Sequence, residues 1–146
     1  MDQAVVDFFT GKRLALVGAS RSGKKFGNLA YNELKQRGYQ VYLVHPTAAS
    51  IEGETCYPCL EALRDHVDGV VVSVSPQQGM QVLQEASQAG IKNVWIQQQG
   101  DSPEMIELGK ALGLNLVHGR CILMYAQPVR SYHSFHRFFN RITGKL

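Results

Sequence analysis

Five short apolar runs punctuate the chain: residues 12 to 18 (KRLALVG), 40 to 45 (QVYLVH), 69 to 74 (GVVVSV), 93 to 97 (NVWIQ) and 115 to 118 (NLVH). They are rich in Val, Leu and aromatics and do not alternate strictly. Runs that are apolar on both sides are what strands of a covered parallel sheet require. Between them lie helical patterns with recognisable ends. Ser75-Pro76 opens one, carrying Val82, Leu83, Ala86 and Ala89, and Gly90 closes it. Ser102-Pro103 opens another, with Ile106, Leu108 and Leu112 inside and Gly113 at the end. A third runs from about Phe26 to Arg37 and stops at Gly38. Serine before proline is an N-terminal signal, and glycine after the last turn a C-terminal one.

Strand and helix therefore alternate, which predicts an α/β fold. The expected form is a doubly wound, Rossmann-like sheet of about five parallel strands with helices on both faces. Two pieces fall outside the repeat. Residues 46 to 66 predict a long loop with a short helix from Pro58. Residues 128 to 142 predict a C-terminal helix with Val129, Tyr132, Phe135, Phe139 and Ile142 on one stripe and Arg130, Arg137 and Arg141 on another. That stripe suits packing against the core or against a second copy.

At 146 residues and 45% hydrophobic content the chain reads as one domain with a real core, which excludes disorder and coiled coil. No apolar run approaches the ~18 residues of a membrane span. The N-terminal MDQAVVDFFTGKR does not read as a secretory signal. Three cysteines are too few and odd for a disulfide framework, so a reducing, cytoplasmic setting is expected. The net charge is only +3, but Lys12, Arg13, Arg21, Lys24, Lys25, Lys35 and Arg37 crowd one stretch with Glu33 as its single acid. This field suits a small anionic ligand and is too mild for nucleic acid.

Ligands of such sheets bind at the C-terminal ends of the strands. There the chain places Gly18 to Gly23, His45-Pro46, Ser73-Val74-Ser75-Pro76, Gln97 to Gly100, and His118 to Cys121. The segment Gly18-Ala19-Ser20-Arg21-Ser22-Gly23-Lys24-Lys25 admits three chemistries. A P-loop fits up to Lys24, but the next residue must be Ser or Thr to hold magnesium, and it is Lys25. A nicotinamide site needs an acid after the second strand for the ribose, and the chain has His45. NADP remains open, because Arg21, Lys24 and Lys25 would take its phosphate. The third chemistry uses the nucleotide as a handle: backbone amides of Ala19 to Gly23 would hold a pyrophosphate, and the lysines a further phosphate. Coenzyme A carries both groups and asks for neither metal ligand nor ribose acid.

On these residues the chain resembles the small stand-alone CoA-binding proteins of bacteria, which are similar to the N-terminal CoA-binding domain of the succinyl-CoA synthetase α subunit. The segments that carry the resemblance are LVGAS (16 to 20), GYQVYLVHP (38 to 46), IEGETCYPCLEAL (51 to 63), VDGVVVSVSP (67 to 76), AGIKNVWIQQQG (89 to 100) and LGLNLVHGRCILM (112 to 124). It implies CoA or an acyl-CoA lying across the strand ends. The diphosphate would sit on Gly18, Ala19, Ser20 and Ser22, the 3′-phosphate on Lys25 or Arg21, and the adenine near Val44, Pro46, Val74 and Pro76. Ser73, Ser75, Gln97, Gly100 and Cys121 complete the expected edge. The family usually has Asn before the proline where this chain has His45.

A catalyst is harder to find. No histidine sits in a motif like the phosphorylated histidine of the synthetases, and no Ser-His-acid set or carboxylate pair stands at the strand ends. Cys121 would be the nucleophile of a thiol-based acyl-CoA enzyme, the alternative to a binding module along with an NADP-dependent oxidoreductase. Cys56 and Cys59 have redox or zinc spacing, but zinc needs two more ligands and a redox pair usually opens a helix. The expectation is a CoA-holding domain that serves a partner enzyme or pairs with a second copy through its C-terminal helix, away from membranes.

Overall fold

The strands form where both faces of the backbone carry apolar side chains. The computed structural model describes residues 2–98 and 100–129. Strand β1 (Arg13–Val17) lies at the centre, between β2 (Gln40–Val44) and β5 (Gly69–Val72), with β6 (Asn93–Gln97) and β7 (Asn115–Arg120) beyond β5. These pairings are all parallel. Leu14 and Leu16 of β1 point into one core with Trp95 and Val117, beneath helices α1 (Gln3–Phe8) and α2 (Phe26–Gln36). Ala15 points to the other, with Val70, Val72, Val94 and Ile96, beneath α3 (Pro76–Gln88) and α4 (Pro103–Ala111). Helices therefore cover both faces, which is why no strand alternates.

The helix ends follow the sequence signals. The Ser75 hydroxyl accepts the Gln78 amide at 3.4 Å and that of Ser102 accepts the Met105 amide at 3.2 Å. Gly38, Gly90 and Gly113 follow α2, α3 and α4 with φ of 98°, 77° and 71°, the left-handed turn that lets the chain drop straight into a strand.

Three parts differ from expectation. The connection after β2 is not a loop but a hairpin, β3 (Ser50–Ile51) and β4 (Glu54–Tyr57). Its turn is Glu52-Gly53, with φ of 52° and 81°. β4 then adds to the sheet parallel to β2, giving seven strands in the order β3-β4-β2-β1-β5-β6-β7. Alternation is too short in ETCY to be read as a strand; pairing with an open edge of β2 decides it. The turn after it is a 3₁₀ segment, Leu60–Leu63, rather than a helix from Pro58. The N-terminal helix α1, not foreseen, is capped by Asp2, and buries Val5 and Phe8. Phe8 stands edge-on to Trp95 with ring centroids 5.3 Å apart. The expected C-terminal helix lies, from residue 130 on, outside the described residues. Residues up to Val129 are strapped down: Arg37 donates to the carbonyls of Leu123 and Ala126, and the Tyr39 hydroxyl to that of Gln127. Burial pushes the Tyr39 phenol up to about 12, so it keeps that proton.

At the other end of the strands, Arg13 and Asp68 tie the start of β1 to the start of β5. Asp68 accepts from the Arg13 amide, its Nε and its Nη2 at 3.1, 3.2 and 2.8 Å. The side-chain hydrogen bond from Arg13 holds the Asp68 carboxyl below its usual range. A carboxyl depressed in the folded state adds stability above its unfolded pKa and loses it as pH falls through the folded one. The Arg13 side chain is 44% exposed, so the contribution is modest. The difference in urea midpoint between wild type and Asp68→Asn should therefore hold steady from about pH 7 to 5 and shrink below about pH 4.

Candidate functional site

The chain runs outward from β1 to β2, then returns to the far side of β1 to start β5, so the crossovers diverge between β1 and β5. A crevice must open there, at the C-terminal ends of the strands. Two glycines shape it. Gly18 follows β1 with φ of 132°, and a β-carbon on it would stand 2.2 Å from the carbonyl oxygen of Ser73. Gly27, in the first turn of α2, would place a β-carbon 2.4 Å from the carbonyl oxygen of Gly18. These are the tight-turn and close-packing roles of a nucleotide-binding glycine motif. Sequence spacing suggests Gly23 for the second role, but Gly23, at φ of 74°, only turns the loop.

The loop between these glycines is held by its own polar groups. The Ser20 amide donates to Oδ1 of Asn28 at 2.9 Å, and Nδ2 of Asn28 donates back to the Ser20 carbonyl at 3.0 Å. The same Nδ2 donates to Oε2 of Glu52, at the hairpin turn, at 2.8 Å. Asn28 is 2% exposed, and this set satisfies both its donors and its acceptor. The Ser20 and Ser22 hydroxyls pair at 2.6 Å, the Ser22 amide donates to Ser20 Oγ, the Gly23 amide to the Ser20 carbonyl and the Lys24 amide to Ser22 Oγ. The amides of Ala19, Arg21 and Lys25 have no acceptor among the described residues. Lys25, the residue before α2, makes no side-chain capping bond to the helix. The open N-terminus of α2 and these amides make the loop electropositive.

Above the loop lies a cleft of about 560 Å³. Its floor is Val17, Val44 and Val74, its loop side Gly18, Ala19 and Lys25, and the β2 end supplies His45 and Pro46. Ser73 and Ser75 close it beneath α3, which presents Gln78, Gln81 and Glu85. A second cleft of about 300 Å³ shares Ser73 and Val74 with the first and continues to Phe26, Gln97, Gly100 and Cys121. Gln97, 7% exposed, accepts the Ile122 amide on Oε1 at 3.1 Å and so fixes the turn that carries Cys121.

The expected residues thus gather on one edge, with Gly18, Ala19, Lys25, Val44, His45, Pro46, Ser73, Val74 and Ser75 around the first cleft and Gln97, Gly100 and Cys121 around the second. Ser20, Ser22 and Pro76 do not line either; the serines brace the loop from within. Arg21 instead reaches Oγ1 of Thr47 at 3.2 Å. Asn28 and Glu52 were missed, since neither lies at a strand end; only the fold brings Glu52 under the loop. Arg120 stacks on Tyr125 and lies 3.3 Å from Asp2, so its charge is already engaged beside Cys121. Cys56 is buried on β4, and burial pushes its thiol up, away from the reactive thiolate. His118 pairs with Asp101 at 3.4 Å.

Asn28→Ala should remove both restraints on Ser20 and cost about 1–3 kcal/mol. Urea unfolding checks the loss, and faster hydrogen exchange at the Ser20 amide checks its location.

Comparison with known proteins gives this geometry a context. A family model described as CoA binding domain matches residues 12–127. The chain is 38% identical over 101 residues to the ADP-forming acetate–CoA ligase II of Archaeoglobus fulgidus, covering 67% of this chain and 15% of that protein. It is 25% identical over 126 residues to the α subunit of the Pyrococcus furiosus ADP-forming acetate–CoA ligase II, covering 79% and 28%. The chain thus spans well under a third of either relative. Among solved structures, a conserved hypothetical protein from Pyrococcus furiosus matches with a TM-score of 0.75 at 36% identity, over 79% of this chain and 99% of that one. A hypothetical protein from Pyrococcus horikoshii matches with a TM-score of 0.76 at 30% identity, over 86% and 89%. Both of these ligases are of the acetate type, whereas the resemblance drawn from the sequence is to the succinyl-CoA synthetase α subunit. With its crevice at the β1/β5 divergence and the family model spanning the whole sheet, the chain belongs to the CoA-binding domain family.

Proposed function

We propose that the chain holds coenzyme A, free or acylated, across the two joined clefts and presents it to a partner enzyme. The observation that carries this reading is the first cleft. It sets an apolar floor beside free amides, an open helix N-terminus and Lys25, and no carboxylate stands at the end of β2. A diphosphate meets the amides of Ala19, Arg21 and Lys25 rather than that of Ser20, which Asn28 already takes. The adenine packs on Val44, Pro46 and Val74. The pantetheine arm passes Ser73 and Val74 into the second cleft, toward Gln97, Gly100 and Cys121.

The partner follows from the relatives. They are CoA ligases of which this chain matches only a small part, so the rest of a ligase, of the acetate or the succinyl type, is the machinery such a domain would serve. A cytoplasmic setting agrees with the three free thiols. Among the described residues no helix is long and apolar enough to cross a membrane.

Native mass spectrometry followed by calorimetric titration with CoA, dephospho-CoA, NADP and NAD tests the reading. Retained or preferred CoA is the expected result; NADP bound in its place would overturn it in favour of an oxidoreductase. Lys25→Ala should weaken CoA by an amount on the order of 1.5–3 kcal/mol, the worth of a charge-assisted contact. Cys121→Ser should leave CoA affinity unchanged; its loss would favour the thiol enzyme.

A further inference from the structure

Glu52 is an unexpected residue for the turn it makes. Ile51 and Glu54 pair across β3 and β4, so Glu52 and Gly53 form a two-residue hairpin loop. Both have positive φ, 52° and 81°. Loops of this kind take Asn-Gly or Asp-Gly, because a short polar side chain tolerates a left-handed backbone. The chain places a glutamate there instead. Where a local rule is broken, a contact elsewhere must compensate.

That contact lies under the glycine loop. Oε2 of Glu52 accepts from Nδ2 of Asn28 at 2.8 Å. The same carboxylate lies beside Gly23, where a β-carbon would stand 3.9 Å from Oε2. The carboxamide of Asn28 has two ways round. As found, Nδ2 faces the Ser20 carbonyl and the Glu52 carboxylate, and Oδ1 faces the Ser20 amide. Reversed, Oδ1 would face two acceptors. An ionised carboxylate only accepts, so Glu52 adds its weight to the observed orientation.

The orientation of Asn28 sets the direction of a neighbouring amide. In a trans peptide the C=O and the next N–H point opposite ways, and no peptide bond among the described residues is cis. With the Ser20 carbonyl drawn down to Asn28, the Arg21 amide is turned away from the brace. It has no acceptor among the described residues. The charge of Glu52 works against an anion above the loop, since a carboxylate repels a diphosphate. What it can offer the loop is its hydrogen bond.

We propose that Glu52 is a positioning residue for the ligand, acting through Asn28 to hold the Ser20–Arg21 peptide with its amide free for a diphosphate. The proposal rests on the CoA reading for its ligand.

Calorimetry with CoA, amide hydrogen exchange without ligand, and thermal melts test it. Glu52→Gln keeps an acceptor and drops the charge, and should bind CoA within about twofold of wild type. Glu52→Asn suits the turn but is a methylene shorter and gives up the reach to Asn28. It should melt within about 4 °C of wild type, exchange the Ser20 amide about tenfold faster and bind CoA about tenfold more weakly. Adding Asn28→Ala to Glu52→Asn should weaken CoA no more than Asn28→Ala alone, because the two act in series. Wild-type affinity in Glu52→Asn would overturn the proposal, as would additive losses in the double variant. A Glu52→Gln protein as weak as Glu52→Asn, or clearly tighter than wild type, would show that charge rather than position matters and overturn it too. A much lower melt of Glu52→Asn would make Glu52 merely structural. If wild type binds no CoA, the coenzyme reading falls by itself. The Ser20 amide then decides the brace, and unchanged exchange in Glu52→Asn overturns it.

Discussion

Everything at the ligand edge depends on one close approach. The end of β1, the end of β5 and the first turn of α2 meet at Gly18 and Gly27, where backbone touches backbone and no β-carbon fits. This brings the helix N-terminus within reach of whatever lies over the strand ends. It also aligns its free amides with those of the loop. Any side chain at either position would push α2 outward and open the crevice where the divergence of the crossovers puts it. The rest of the sheet supplies rigidity for that contact, with two separate apolar cores pressing on β1 from both faces.

A loop of eight residues between such glycines would fluctuate unless held. Here the holding group is a buried amide side chain, Asn28, that reads both polar groups of Ser20. Its remaining donor is met by Glu52 from a hairpin turn that places a non-glycine residue at positive φ. Such a backbone is uncommon for glutamate and persists where surrounding contacts over-determine it. The hairpin is thus more than an edge extension: it braces the glycine loop from below. Using the Ser20, Ser22, Gly23 and Lys24 amides inside the loop leaves fewer for a ligand, but leaves those few in fixed positions, which lowers the entropy lost on binding.

The clefts join an apolar floor to polar groups at their rim. Free amides and Lys25 border the cleft, its floor is apolar, and the thiol at its far end has a neighbouring arginine already committed to Asp2 and Tyr125. That balance suits a domain whose relatives are larger ligases.

The covered sheet, its five principal strands, three of its helices and the ligand edge were legible in the chain, because apolar runs and Ser-Pro and Gly ends are local signals. Gly18, Lys25, His45, Ser73 and Cys121 could be assigned to that edge because in this topology a strand's end is also its address. The hairpin, the short α1 and the roles of Asn28, Glu52 and Gly27 were not legible. Each depends on a contact between segments far apart in sequence: β4 on the free edge of β2, Phe8 on Trp95, Glu52 on Asn28, Gly27 on the carbonyl of Gly18. The sequence by itself determined the order of elements and the edge where chemistry gathers, since both follow from local periodicity and chain direction. Tertiary structure alone decided which amides of the glycine loop stay free, because hydrogen bonds are allotted only when the chain has closed on itself.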